Sequence, residues 1–546
     1  MKTSNINSRF FKWASILSLI IIGMYSCNND ILDETPLSSL NDDITLSSKS
    51  GFEASLVGLV RNAREEYTQD DATVWFTNYI GTDIGDSAGQ EFTAYRDWVS
   101  YITPIRGEVR ANWNWAYSKM IPQANTIISY ANRPELQDIW SQDAEKNAVI
   151  AEARFFRGYT YNLLANLYGG VPIVESLATT IKFDYERSTR QQVYEFAKKD
   201  LEFASQWLPV TVAVNKEGRI IKAAADHLLT EVNISLGAYD DAVTSASAVI
   251  NSGLYELMTM RFGSKADLPG DVFSDLFAEG NQNRSSGNLE SIYVWQIENN
   301  TAGGGGSRDG NAAIRNFAPF LTKIKDPKNV FNIPTDSLGR GVGRTRGSNY
   351  SIYDIWKNDV NDIRNSKYNF KRDFYYNNPN SSFFGQIIEP KTVKEDTMRN
   401  IYPYPRKMEG PPWASNPASG RTIKDIYVYR LAETFLLRAE AYFRKGDLSN
   451  AAADINTVRN RANANSINAE TVTLNFILDE RARELMYETS RRRTLIRMGI
   501  LVERVRNYGF LESARKTIQD YHNLWPIPQE AIDANFGAEL KQNPGY

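Results

Sequence analysis

One cysteine and two histidines in 546 residues leave little with which to build a disulfide or a transition-metal site. Cys27 has no second cysteine to pair with, so disulfides and thiolate zinc clusters are excluded within one chain. His227 and His522 lie in different halves of the sequence, and no His-rich metal motif is present. Basic excess is missing as well: 62 Lys and Arg stand against 65 Asp and Glu, a net charge of −3, so the chain shows no nucleic-acid footprint. No apolar run reaches the roughly 20 residues that a membrane-spanning helix needs. What the chain does have is 42% hydrophobic and 12% aromatic residues, too apolar for a disordered polymer. Its length suits two to four domains or one large fused unit, at roughly 100–200 residues per domain.

The N-terminus reads as an export signal. Lys2, Arg9 and Lys12 precede the 12-residue apolar stretch Trp13–Met24, and the first acid is Asp30. That pattern is a signal-peptide n-region and h-region. The stretch ends Met24-Tyr25-Ser26-Cys27, which resembles a bacterial lipobox, whose cysteine is acylated and becomes the first mature residue. Met24 and the bulky Tyr25 depart from the usual pattern. An ordinary signal peptide with an incidental cysteine and an uncleaved anchor are competing readings. Residues 1–26 are thus expected to be removed, leaving a mature chain near −6, and 27–50 to act as a lipid-anchored tether.

From 51 to 269 the apolar periodicity is helical. Phe52, Leu56, Leu59 and Val60 share a face, and the helix ending at Tyr168 stops at Gly169-Gly170 before Pro172. A helix, a Gly turn and a second helix with small residues occur around Leu228–Gly253 and again around Leu431–Ala462. This is the pattern of a tetratricopeptide-like hairpin, and at least about three stacked units are needed for stability. Degenerate copies are expected at Ala151–Gly170 and Val193–Leu208. Residues 270–421 differ: Gly, Asn, Ser and aromatics abound, and Ser291–Ile297 alternates like a strand. The predicted fold class is mainly α, a tetratricopeptide-like helical hairpin scaffold with a loop-rich irregular lobe containing short strands. Residues 422–546 return to helices and a Pro-punctuated tail, the whole of 51–546 forming one fused unit.

Several patterns invite a catalytic reading. Glu480, Glu484 and Glu488 lie at i, i+4 and i+8, interleaved with arginines, and read as a salt-bridged helix face rather than acid–base machinery. Gly303–Gly306 is followed by Ser-Arg and lacks the phosphate-loop lysine. No Gly-x-Ser-x-Gly accompanies either histidine. No catalytic residue and no metal ligand is assigned, although a glycosidase carboxylate pair is spatial and leaves no sequence pattern. The aromatics are more suggestive, because sugar faces stack on Trp and Tyr while their hydroxyls bond to Asn, Asp, Gln and Arg. Candidate ligand-contact residues, chosen as loop aromatics beside such groups, are Tyr95, Trp98, Tyr293, Trp295, Tyr350, Tyr353, Trp356, Tyr375 and Trp413. Trp113, Trp115 and Tyr117 sit in a helical pattern and read as core.

Five motifs in order carry a resemblance. They are Asp30-Ile-Leu-Asp-Glu-Thr-Pro36 after Cys27, Ala151–Tyr159 leading to Leu167-Tyr-Gly-Gly-Val-Pro172, and Arg430–Glu440 with Ile455–Arg461. Glu480–Glu488 with Arg491 and Arg492, then Trp525-Pro-Ile-Pro528 with Gln542–Tyr546, complete the set. Together they resemble the SusD/RagB family of outer-membrane nutrient-binding lipoproteins. The resemblance implies a non-catalytic protein, lipid-anchored at Cys27 and exposed on the outer membrane. Such a protein captures glycans and delivers them to a SusC-like TonB-dependent transporter. It implies no cofactor, leaves room for a structural calcium ion, and includes no nucleic-acid partner. A binder of peptides or another non-sugar nutrient in the same uptake role is the alternative, with a surface glycan hydrolase behind it. The matched Arg and Glu residues belong to the scaffold, and no family motif assigns the binding loops.

Overall fold

The computed structural model describes residues 41–68, 75, 77–89, 95–178, 180–298, 301, 303–305, 310–333, 339–389, 397–413 and 417–546. The signal segment, Cys27 and the tether up to residue 40 lie outside the described residues.

Amphipathic helices form the scaffold. α1 (Lys49–Thr68) buries Phe52, Leu56, Leu59 and Ala63 at spacings of three and four. α2 (Gly107–Trp115) passes through one π-helical turn, Ala116–Met120, into α3 (Ile121–Ala131). α4 (Asp143–Tyr168) carries Asp143 and Glu145 in its first turn, where the helix dipole favours acids. It stops at Gly169, whose φ of +77° suits a residue without a Cβ. A Cβ on the next residue, Gly170, would meet the Ser188 carbonyl oxygen at 2.1 Å, so the chain can cross there only as glycine. α5 (Arg190–Trp207) opens with a Thr189–Gln192 capping box and packs along α4.

Two further hairpins follow the expected pattern. α6 (Lys222–Ser235) turns at Gly237 into α7 (Tyr239–Ile250). α8 (Leu431–Lys445) ends on Gly446 in the left-handed region, and Asp447 caps α9 (Leu448–Arg461). Ile234, Ala242, Leu437 and Ala441 make a cluster that stacks one hairpin on the other across a long sequence gap. α10 (Leu474–Leu485), α11 (Arg491–Arg497), α12 (Leu501–Tyr508) and α13 (Gln529–Ala534) complete the helices used below. Helical structure in the first half ends at Ile250, earlier than the periodicity to 269 suggests; 251–269 holds only the short turn Gly263–Lys265.

The strands are short and pair two by two, all antiparallel. β1 (Gly85–Ser87) pairs with β3 (Thr345–Gly347), β2 (Ser291–Trp295) with β6 (Ile426–Arg430), and β4 (Phe370–Lys371) with β5 (Tyr404–Pro405). β6 runs directly into α8, so the β2–β6 pair fastens the start of the irregular segment to the C-terminal hairpin. The irregular segment 270–421 has two allegiances. Tyr293, Phe317, Tyr350, Trp356 and Phe370 belong to the main core, whereas Ile314, Ile324, Phe374, Tyr376, Ile388 and Tyr402 form a core of the lobe's own. Among the described residues no helix is long and apolar enough to cross a membrane.

Candidate ligand-binding surface

The carboxylate row resolves into structure. Glu480, Glu484 and Glu488 are buried and spent as acceptors. Arg364 reaches Glu480 at 2.7 Å and Glu484 at 3.1 Å, Arg430 reaches Glu484 at 3.1 Å and Glu488 at 2.7 Å, and Arg461 also pairs with Glu484. Lys407 meets Glu488 at 2.5 Å, and Arg459 and Arg483 meet Glu480 at 2.7 and 2.8 Å. Burial acts to raise the Glu480 pKa, but Arg364, Arg483 and Arg459 outweigh it and hold the group down at about 2. Since Arg364 and Lys407 come from the irregular segment and the glutamates from α10 and its exit, this lattice bolts the lobe to the helices. His227 is likewise interior, its Nδ1 sharing a 2.8 Å hydrogen bond with the Thr434 hydroxyl. Among the described residues no group of three or more His, Cys, Asp or Glu side chains is placed to hold a metal ion.

Seven of the nine candidate aromatics are buried, which removes them from direct ligand contact in this conformation. Tyr95 and Trp98 pack edge to face, with Arg492 over the Tyr95 ring at 4.1 Å and His522 beside Trp98. Tyr293 and Trp295 alternate along β2, yet β2 is covered on both faces, so neither ring reaches solvent. The Tyr350 hydroxyl accepts from Arg504 at 2.6 Å and donates to Asp479. Trp356 donates its indole N–H to the Ser351 carbonyl at 3.0 Å, and Trp413 lies against Gly310. A ring with no accessible face cannot stack on a sugar; these seven stabilise the fold instead.

Tyr353 and Tyr375 are the two that remain open, at 44% and 51% exposure. Tyr353 has the Arg372 guanidinium 5.5 Å from its ring centroid. Tyr375 has more company, and strict alternation explains why. Phe374 and Tyr376 point into the lobe core, which forces Tyr375 outward. Tyr375 is the bridge partner of Ile387, and Lys325 is the bridge partner of Phe331, so each pair shares a face. The two ribbons are sewn together by amides: Asn378 donates to the Phe331 carbonyl at 2.6 Å, and the Ile333 N–H donates to Asn377 at 3.2 Å.

The result is an open platform carrying Phe331, Ile333, Tyr375 and Ile387, with Phe384 nearby on the 374–388 ribbon. Lys325 sits over the Phe331 ring at 4.4 Å. The turn that presents Phe331 is held from below by Asp326. Burial works to raise its pKa, while hydrogen bonds from Ser381 and from the Val330 and Lys328 N–H groups hold it below the ordinary carboxylate value. Asn329, with φ of +66°, completes this turn, a conformation Asn tolerates better than most residues. Five large apolar side chains left exposed on these two ribbons suit a contact surface. Tyr375 was among the candidates named from sequence, whereas Phe331, Phe384, Ile333 and Ile387 were not. The alternation of Phe374, Tyr375 and Tyr376 was the available signal; nothing local showed that the 331 and 375 ribbons are neighbours.

The comparisons agree with this architecture. The SusD family model matches residues 281–546, and a second model, described as starch-binding associating with outer membrane, matches residues 30–233. SusD-like protein P2 of Formosa agariphila is 24% identical over 98% of this chain and 100% of its own. Starch-binding protein SusD of Bacteroides thetaiotaomicron is 39% identical over a shorter stretch, 22% of each chain. Among solved structures, a laminarin binding SusD-like protein aligns with a TM-score of 0.68 at 20% identity, covering 91% of this chain and 100% of that one. Surface glycan-binding protein A from Bacteroides thetaiotaomicron, in complex with laminarihexaose, aligns with a TM-score of 0.67 at 20% identity, over 91% and 99% of the two chains. With the five sequence motifs, the stacked hairpins and the buried Arg–Glu lattice, these matches establish that the chain belongs to the SusD/RagB family.

Proposed function

We propose that this protein is a cell-surface glycan-binding lipoprotein, anchored to the outer membrane through Cys27. In this reading it captures an oligosaccharide or polysaccharide and hands it to a SusC-like TonB-dependent transporter. The observation that carries the reading is the exposed ring platform around Tyr375 on a chain of this family. The relatives' names, which mention starch, laminarin and glycan binding, support the same ligand class. Stacking on Tyr375 and Phe331 supplies affinity, while Lys325 beside the Phe331 ring supplies hydrogen bonds to hydroxyls.

Incubation with a polysaccharide panel tests it: polymer is depleted without new reducing ends, and Tyr375→Ala weakens retention. New reducing ends would overturn the binding reading in favour of a hydrolase. A peptide or other non-sugar nutrient is the second reading, favoured by Ile333 and Ile387, which suit an apolar side chain better than a hydroxyl-rich face. Retention of peptides with no glycan retained would select it. Mass spectrometry of the mature N-terminus tests the anchor, and an unmodified Cys27 would remove it.

A further inference from the structure

A second opening lies well away from the platform in sequence, between α3, the stretches 172–178 and 180–185, and α13. It is a groove of about 480 Å³ with an apolar lining dominated by Trp113, Tyr117, Leu177, Phe183 and Leu540. The π-helical turn at Ala116–Met120 presents Tyr117 there, its hydroxyl fastened to the Pro172 carbonyl at 2.6 Å and its ring 4.8 Å from that of Trp113. Such turns recur at functional sites. A cavity of roughly 150 Å³ takes one benzene ring, so this groove has room for a fused or linked pair of rings.

Three observations define the ligand chemistry. First, the groove's asparagines are already spent. Asn125 donates to the Val174 and Ser176 carbonyls at 2.8 and 3.1 Å and accepts from Arg157 at 2.6 Å. Asn535 exchanges bonds of 2.7 and 2.9 Å with the Tyr185 backbone. With these amides engaged, the lining offers more to apolar ring faces than to sugar hydroxyls. Second, Lys182 is the one charged residue in the described lining, its Nζ 5.1 Å from the Tyr185 centroid. Asp184 approaches it only to 3.8 Å, and both are at least half exposed, so that pair contributes little. Third, Phe183 and Phe536 stack at 4.4 Å and 26° beside the mouth, with Phe536 76% exposed. The Gly537 N–H donates to the Phe183 carbonyl at 2.7 Å, which ties the Phe183 segment to the chain just after α13.

We propose that this groove binds a planar aromatic small molecule carrying an anionic group, its rings between Trp113, Tyr117 and Phe183 and its charge at Lys182. The inference is independent of the glycan reading. The test titrates the full chain with anilinonaphthalene sulfonate and with the neutral phenylnaphthylamine, following fluorescence. Ala534 lines the groove yet is exposed, so Ala534→Trp fills it from the solvent side without cutting into the core. That variant should weaken both probes by about tenfold or more while glycan retention and melting temperature hold. Lys182→Ala should weaken the sulfonate about fivefold and leave the neutral probe within about twofold. Equal affinity of Ala534→Trp and the native chain for both probes would overturn the site, and an unchanged sulfonate affinity in Lys182→Ala would overturn the anionic assignment.

Discussion

Two aromatic-rich regions of this molecule look alike in sequence and do opposite things. Along β2, Tyr293 and Trp295 are enclosed by α-helices and by β6, and their rings touch Phe155, Phe156 and Tyr429. Along 374–376 the same alternation leaves Tyr375 facing solvent, because only one side of that ribbon rests on a core. A period of two says which residues share a face; it does not say whether the second face is covered. The charged residues divide in the same way. Arg364, Arg430 and Glu484 are interior bolts, while Lys325 lies out on the Phe331 ring.

Perturbations should separate the two kinds of region. The largest effect is expected at Glu484→Ala, which leaves the guanidiniums of Arg364, Arg430 and Arg461 buried without their shared acceptor. Removing one partner of a buried pair costs on the order of 3–5 kcal/mol. A loss under about 1 kcal/mol in denaturant unfolding would contradict the bolt assignment.

Trp295→Ala should follow, losing about 3–5 kcal/mol through the cavity it opens. Glycan affinity of the folded fraction is expected to stay unchanged; a selective affinity loss would return Trp295 to the site.

Acid should act next, and mainly on the bolts. Glu480 and Glu433 are held down to about 2, below the roughly 4.3 of an unfolded glutamate, against the opposing effect of burial. Their contribution is full above that unfolded value and disappears as pH falls toward 2. Asp86 and Asp425 run the other way, since burial pushes both up to about 6. Their contribution is present below about 4 and is lost as pH rises through 6. Melting temperature against pH should therefore fall steeply below pH 4, with a shallower decline between 4 and 6 that Asp425→Asn flattens.

On the platform, Tyr375→Ala should cost about 1–2 kcal/mol of ligand affinity, roughly a 5- to 30-fold loss. Unfolding free energy should move by less than about 0.5 kcal/mol, as for a surface position. Phe331→Ala is expected to be the smallest, about 1 kcal/mol of affinity, because part of its ring is already engaged by Lys325. Affinity electrophoresis on the retained polysaccharide reads both, and unchanged mobility of the Tyr375 variant would move the site elsewhere.

The scaffold was legible because its signals are local. Gly169 with Gly170, and the glycine turns at Gly237 and Gly446, each announce a helix boundary within a few residues. The interleaved Arg and Glu of α10 read correctly as scaffold: Arg483 pairs with Glu480 one turn away, and arginines from distant segments take up the remaining carboxylate oxygens. Ligand contact was less legible. The nine candidate aromatics have polar neighbours in sequence, but the polar partners of the buried rings come from elsewhere: Arg492 covers Tyr95, Asp479 accepts from Tyr350, and the Ser351 carbonyl accepts from Trp356. An aromatic beside a polar residue describes a buried, satisfied ring as well as a binding one. Trp113 and Tyr117, read as core, do pack in and against the main core, yet both also line a groove, which helical periodicity alone does not show.

The sequence by itself determined the hairpins, their turns, the family and the identity of the residues able to pair or stack, since each depends on contacts a few positions apart. Only the tertiary structure decided which rings see solvent, because exposure depends on what a distant segment places on top of them. Asn332 and Asn377 draw the 331 and 375 ribbons together, β6 pairs beside Tyr293, and α13 with Pro172, Leu177 and Phe183 lines a groove. Each of these joins residues whose separation along the chain far exceeds any helical or strand period, and that is where the binding surfaces arise.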